Sequence, residues 1–135
     1  MQFEEYVSYF KAILENPENY EGYQDEEIFN YTKLNWSRMN KKKKKFEPNA
    51  ETASFMNGIA TKQHWILITE PWCGDAAHSV PMIYQMVKSN PLLVLDIQLR
   101  DSEPYTINQY LTNGGKSIPK LVIRNEQGDD LAVWG

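Results

Sequence analysis

An apolar segment, a helix and a second apolar segment follow one another in the middle of the chain, and this order constrains the fold most. Residues 65–69 and 92–99 are short apolar runs with the length and composition of buried strands. Residues 75–89 between them have a helical pattern, which Asn90-Pro91 ends. A strand–helix–strand unit of this length places its two strands in parallel, joined by a right-handed crossover.

A helix and two further strands are predicted after this unit. Residues 102–104 predict the start of a helix, and Asn113-Gly114-Gly115 predicts its end. Residues 120–124 and 131–134 are then predicted strands, and the NEQGDD turn between them predicts a hairpin. The sheet should therefore be mixed and contain four strands.

Three helices are predicted before the unit. Residues 3–14 carry apolar side chains at helical spacing, Asp25 is the predicted N-cap of a second helix to about Met39, and a third runs from Pro48-Asn49 to about Thr61. The five lysines at 41–45 predict a solvated loop or a frayed helix end, with a docking site for an anionic partner as the alternative.

These patterns predict one globular domain overall. Residues 1–63 should form an N-terminal helical extension packed on the core, and residues 64–135 should form the core itself. No internal repeat and no linker indicates a second domain.

The charge balance bears on partners and location. The chain has 14 basic and 18 acidic side chains and a formal net charge of −4, which argues against nucleic-acid and anionic-membrane binding. No apolar run approaches the roughly 20 residues of a membrane span, and the acidic N-terminal segment lacks the features of a signal peptide. The single cysteine cannot form an internal disulfide, so we expect a cytoplasmic protein.

Three short motifs resemble the thioredoxin superfamily. Trp72-Cys73-Gly74-Asp75-Ala76 follows the first predicted strand and resembles the W-C-G-P-C loop with its last two positions changed. Pro81 stands where thioredoxins carry the proline that kinks the active-site helix, and Ser117-Ile118-Pro119 matches the family's cis-proline loop. The segments YTKLNWSRM, ITEPWCGDAAHSVP and YLTNGGKSIPKL further resemble a bacterial thioredoxin-like family.

The resemblance implies a thioredoxin-like α/β fold: a central mixed four-stranded sheet with flanking helices and an N-terminal helical extension. It implies that Cys73 is the catalytic residue and that an extended substrate pairs with the backbone beside a cis proline. The substrate-binding residues it implies are Trp72, Gly74, Asp75, Ile118 and Pro119. The alternative for the proline is a trans bond opening an ordinary strand.

The chain departs from the family pattern in three places. Ala76 stands at the position of the resolving cysteine, and Leu67 stands at the position of the buried acid. No C-terminal helix follows the last predicted strand, which ends at Trp134. The uncovered sheet face would expose apolar side chains, so we expect a shortened chain, coverage by the N-terminal helices, or a homo-oligomer.

The surroundings of Cys73 predict a thiol that is only modestly activated. A helix N-terminus lowers a thiol pKa, whereas the nearby Asp75 and Glu70 oppose ionisation, and no lysine or arginine lies within ten residues. His78, five residues further on, should not face the sulfur. One cysteine and two histidines offer no metal-ligand spacing, so neither a metal nor another cofactor is expected.

Two functions remain open. The first is a monothiol thiol–disulfide oxidoreductase, in which Cys73 attacks a protein or small-molecule disulfide and an external low-molecular-weight thiol resolves the product. The second is a redox-inactive module that binds an extended peptide between Trp72 and Pro119. The retained cysteine and groove loop favour the first function, whereas Ala76, Leu67, Asp75 and Glu70 favour the second.

Overall fold

One mixed four-stranded sheet organises the protein. The computed structural model describes all residues from 1 to 135. The strands lie in the order β2-β1-β3-β4, with β1 and β2 parallel and the other two pairs antiparallel. Their bounds are β1 Gln63–Thr69, β2 Leu93–Leu99, β3 Lys120–Asn125 and β4 Asp130–Trp134. This arrangement confirms the predicted fold class.

Four α-helices accompany the sheet: α1 Phe3–Glu15, α2 Glu26–Lys45, α3 Ala50–Asn57 and α4 Ala76–Val87. Helix α4 connects β1 to β2 as the sequence predicts. Asp25 caps α2, since its side chain accepts a hydrogen bond of 3.0 Å from the backbone N–H of Ile28. None of the helices is both long enough and apolar enough to cross a membrane.

The helices pack on one face of the sheet. Strand side chains on this face include Trp65, Leu67, Ile97 and Leu121, and they form a single apolar cluster with side chains from all four helices. The helical members are Phe3, Tyr6 and Phe10 of α1, Met39 of α2, Met56 of α3, and Ala76, Val80, Ile83 and Val87 of α4. Helix α1 therefore contributes large side chains to the core.

The opposite face has a much thinner cover. Ile66, Ile68 and Val122 pack there against Ile107, which lies in a single 3₁₀ turn at Thr106–Gln109. At the edge of the sheet, β4 exposes about half of each of its three largest side chains, those of Leu131, Val133 and Trp134. The N-terminal helices therefore do not cover this strand.

The second helix does not end near Met39 and residues 41–45 are not a loop, because α2 continues through Lys45; this lysine run is its mostly exposed last turn. The C-terminal end of a helix favours cations, since the last carbonyl groups carry partial negative charge. Two contacts hold this end on the fold. The Nζ atom of Lys43 lies 5.3 Å from the ring centroid of Phe3, and Gln85 Nε2 donates a hydrogen bond of 2.7 Å to the Lys43 carbonyl.

Two other predicted helices are shorter than expected. Helix α3 ends at Asn57 rather than near Thr61, because Gly58 follows and glycine disfavours a helix interior. The helix predicted after residue 104 is reduced to the 3₁₀ turn, since Tyr105 has a left-handed φ of 53° that an α-helix cannot include.

The segment Asn113-Gly114 was predicted correctly as left-handed backbone but assigned to the wrong element. The φ angles are 51° at Asn113 and 80° at Gly114. They form a two-residue turn closed by reciprocal backbone hydrogen bonds of 2.9 Å between Thr112 and Gly115, rather than a helix end.

The packing of α1 generates a test of whether the N-terminal extension belongs to the cooperative core. Phe10 is 1% exposed and its ring centroid lies 5.2 Å from that of Trp36 in α2. We expect Phe10→Ala to lower the free energy of unfolding by about 3–5 kcal/mol in urea denaturation, because it leaves a large cavity. The exposed neighbour Lys11→Ala should change it by less than about 0.5 kcal/mol. Equal effects would mean that α1 unfolds separately.

Candidate functional site

The loop between β1 and α4 presents the only thiol of the chain. After Thr69 the chain turns, and the backbone N–H of Cys73 donates a hydrogen bond of 3.0 Å to the carbonyl of Glu70. This turn places the sulfur just before the first turn of α4, which starts at Ala76. The Cys73 side chain is free of any disulfide and only 8% exposed.

The Cys73 sulfur lies beside the loop that leads into β3. Its Sγ atom is 3.7 Å from the carbonyl oxygen of Ile118 and donates a hydrogen bond to it. The Ile118–Pro119 peptide bond is cis. The backbone N–H of Ile118 donates to no acceptor in the protein, so it is free to pair with another chain. The structure thus brings together Cys73, Ile118 and Pro119, which are far apart in sequence.

Arg100 contacts both Trp72 and the loop before Pro119, and the sequence analysis missed it. Its guanidinium carbon lies 4.9 Å from the ring centroid of Trp72, and Nη1 donates a hydrogen bond of 3.4 Å to the carbonyl of Lys116. The residue therefore links Trp72 to the loop that carries Pro119. No local pattern could have indicated it, because Arg100 follows β2 and is 27 residues away from Cys73.

The pKa of the Cys73 thiol is raised above its ordinary value, and the expected modest activation was therefore wrong. Burial is the main cause, since a thiolate loses solvation there. The backbone N–H groups of Ala76 and Asp75 act in the opposite direction, the Asp75 carboxylate adds to the rise, and Arg100 lowers the pKa. The hydrogen bond to the Ile118 carbonyl requires the protonated thiol and so also favours the neutral form.

The remaining predicted substrate-binding residues, Gly74 and Asp75, are exposed at the start of α4. Asp75 occupies the N-cap position but its side chain makes no capping hydrogen bond. A Cβ atom on Gly74 would meet only the Asn35 Oδ1 atom, at 3.9 Å, so the local space does not require glycine.

Glu70 is not among the main groups that shift the pKa of Cys73, contrary to what the sequence analysis expected. The residue is only 7% exposed and lies in a cleft. The pKa of Glu70 is raised to about 7, mainly by burial. The Asp101 carboxylate adds to this rise, whereas the Asp101 backbone N–H and Arg100 reduce it.

The cleft beside Glu70 has a volume of about 750 Å³ and extends from Trp72 towards the N-terminal extension. We call it the tyrosine cleft, because its lining includes Tyr9, Tyr20, Tyr23 and Tyr31. Burial and the Glu70 charge raise the pKa of Tyr9 to about 12 and also raise that of Tyr23. Sequence reasoning missed this cleft, since its residues come from four separate segments.

Asn35 fastens the loop to helix α2. Its side chain is fully enclosed, and Nδ2 donates a hydrogen bond of 3.1 Å to the carbonyl of Pro71. The other amide atom, Oδ1, is buried without a hydrogen-bond partner and faces Gly74. The residue lies in the YTKLNWSRM segment, to which the sequence analysis assigned no function.

The positions that depart from the family pattern lie in the core. Leu67 is fully buried in β1, and Ala76 is buried in the first turn of α4. His78 is exposed and borders a hollow with Arg38, Lys42 and Phe46, away from the sulfur. No group of three or more histidine, cysteine, aspartate or glutamate residues could hold a metal ion.

Comparison with known proteins agrees with the fold. A thioredoxin family model matches residues 22–135. No curated protein sequence matches significantly. A crystal structure of a Pseudomonas aeruginosa protein of unknown function is similar, with a TM-score of 0.64, 13% identity, and coverage of 75% of this chain and 63% of that one. An HIV epitope-scaffold protein aligns with a TM-score of 0.59, 14% identity, and coverage of 99% and 76%. The chain thus spans less than two thirds of the Pseudomonas protein.

The raised pKa of Glu70 predicts a pH-dependent cost in stability. Because the folded-state pKa of about 7 lies above the ordinary value of 4.5, the folded state holds a proton that the unfolded state has lost between these pH values. Stability should therefore fall as pH rises from about 4.5 to 7. Glu70→Gln should remove this fall and be about 2 kcal/mol more stable than the wild type at pH 8.

Urea denaturation between pH 4 and pH 8 would measure this difference. The exposed Glu126→Gln in the β3–β4 turn is the matched control, and its stability should follow the wild-type profile. Parallel profiles for the wild type and Glu70→Gln would show that the carboxyl group is not destabilised by burial.

Proposed function

The chain belongs to the thioredoxin family, and on that basis we propose that it is a monothiol thiol–disulfide oxidoreductase acting through Cys73. The observation that carries this proposal is the position of the sulfur, 3.7 Å from the Ile118 carbonyl beside the cis Pro119. An extended substrate that pairs with the free N–H of Ile118 has its disulfide next to this sulfur.

The reaction proceeds by two sulfur exchanges. The Cys73 thiolate attacks one sulfur of the substrate disulfide, a new S–S bond forms, and the other substrate sulfur leaves as a thiolate that takes up a proton. An external low-molecular-weight thiolate then attacks the substrate sulfur of this mixed disulfide. Cys73 leaves as a thiolate, which regains its proton, and the substrate carries the external thiol as a new mixed disulfide. Ala76 provides no second sulfur for an internal route.

The raised pKa of Cys73 lowers the fraction of thiolate, but it slows the first exchange by a smaller factor than this fraction falls. Each unit of increase reduces the thiolate population tenfold near neutral pH, but the remaining thiolate is a stronger nucleophile. The net loss is roughly three- to fourfold per unit.

The second candidate is a redox-inactive module that binds an extended peptide in the groove between Trp72 and Pro119. One specific observation favours it, namely that burial and the hydrogen bond to Ile118 both hold the Cys73 thiol in its neutral form. In this case the backbone of Ile118 supplies binding without any later chemistry. The protein partner would be an extended segment, with or without a disulfide.

Thiol reactivity against pH tests whether burial raises the pKa of Cys73. We expect iodoacetamide labelling of Cys73 to rise steadily with pH and to reach half its maximum at a higher pH in the folded protein than in urea, because burial raises the pKa. Cys73→Ser should abolish labelling, since Cys73 is the only cysteine.

A disulfide peptide then tests exchange directly. We expect a mixed disulfide with Cys73, detected by mass spectrometry, that added glutathione releases. Its rate of formation should exceed that of the unfolded chain after correction for the thiolate fraction. A rate equal to or below the corrected unfolded rate would support the redox-inactive candidate.

A further inference from the structure

The tyrosine cleft adjoins the thiol groove at Trp72, yet the sulfur exchanges described above do not use it. Glu70, which lies three residues before Cys73, stands in this cleft. The folded chain leaves only 7% of the Glu70 residue exposed, although an uncharged side chain would be less costly there. A buried carboxyl group beside an open cavity indicates a ligand that offsets its desolvation.

No cation of the protein neutralises Glu70. No lysine, arginine or histidine nitrogen lies within 4.0 Å of its carboxylate. Arg100 is nearby, but its guanidinium donates hydrogen bonds of 2.9 and 3.2 Å to Asp101 and another to the Lys116 carbonyl. The other ionisable groups that act with Glu70 are Tyr6 and Tyr9 of α1 and Tyr23 before α2, and none carries positive charge.

The aromatic lining also suits a cation. Four tyrosine rings and Trp72 border the cleft, and the rings of Tyr9 and Tyr20 meet edge to face with centroids 5.7 Å apart. Aromatic faces attract ammonium and guanidinium groups, most strongly where water is excluded.

The charges of the lining exclude an anion. Three acids, Glu21, Glu70 and Asp101, line the cleft, and Arg100 is its only base. Since Arg100 is paired with Asp101, the lining retains a net negative charge whenever Glu70 is ionised.

We propose that the tyrosine cleft binds an organic cation, an alkylammonium or guanidinium group, with Glu70 as its counter-ion and the tyrosine rings around it. On the basis of the proposed function, the cation belongs to the substrate, as a lysine or arginine side chain near the disulfide that Cys73 attacks. Trp72 borders both sites, so one extended peptide reaches the groove and the cleft together.

Binding of small probes to Cys73→Ser protein tests the cleft without thiol chemistry. The probes are n-butylammonium and n-butylguanidinium, with n-butanol as the neutral control, and the readout is the shift of the Glu70, Trp72 and Asp101 amide resonances. We expect both cations to bind at least tenfold more tightly than butanol. Binding should tighten from pH 6 to pH 8, because the cation needs the ionised carboxylate.

Three variants refine this experiment. Glu70→Gln should weaken cation binding at least tenfold, and Tyr31→Leu should weaken it severalfold through loss of one half-exposed ring. The distant Glu126→Gln should leave it unchanged. Equal affinity for butanol and the cations, or unchanged binding in Glu70→Gln, would overturn the proposal.

Disulfide peptides with lysine or norleucine beside the cysteine test the source of the cation. With the wild-type protein, the lysine peptide should form the mixed disulfide at least fivefold faster, an advantage lost in Glu70→Gln and kept in Glu126→Gln. Equal rates together with butylammonium binding would assign the cleft to a free amine and overturn its role in substrate recognition. If neither peptide reacts but butylammonium binds, the oxidoreductase function fails and the cation site stands.

Discussion

Strand β1 is paired along both edges and buried on both faces, and the position of the site depends on where this strand ends. Residues 65–69 are almost completely enclosed, with β2 on one side and β3 on the other. A strand in this position cannot shift its register without turning its apolar side chains to the wrong face. The chain must therefore leave the sheet at Glu70, next to the Ile118–Pro119 segment that enters β3.

Burial near the end of β1 acts on two ionisable groups in the same direction. It raises the pKa of both Cys73 and Glu70, so each tends to be neutral in the ligand-free protein. Backbone N–H groups at the start of α4 oppose this effect at the sulfur but do not overcome it. A ligand that brings positive charge would favour the ionised form of Glu70, and a substrate disulfide would convert Cys73 to its covalent form.

The sequence predicts the central strand–helix–strand unit and the thiol loop correctly because their signals are local. Apolar runs, Asn90-Pro91 and the Trp72-Cys73-Gly74 turn each act on neighbouring residues. The end of α2 was not predicted correctly, because Phe3 and Gln85 contact Lys43 there and both come from other parts of the chain. The tyrosine cleft and Arg100 could not be predicted, since only the folded chain brings residues 9, 31, 70 and 100 together.

Asn35 connects helix α2 directly to the loop that carries Cys73, because its side chain donates a hydrogen bond to the carbonyl of Pro71. The same helices and the turn between them carry the four cleft tyrosines, whereas the sulfur and the proline loop belong to the sheet. Under the proposed roles, selectivity and reactivity reside in different stretches of one chain. Substitutions at positions 9 to 31 can then alter which molecules are recognised while the exchange chemistry stays intact. Related proteins can thus differ in their partners and keep the same reaction centre.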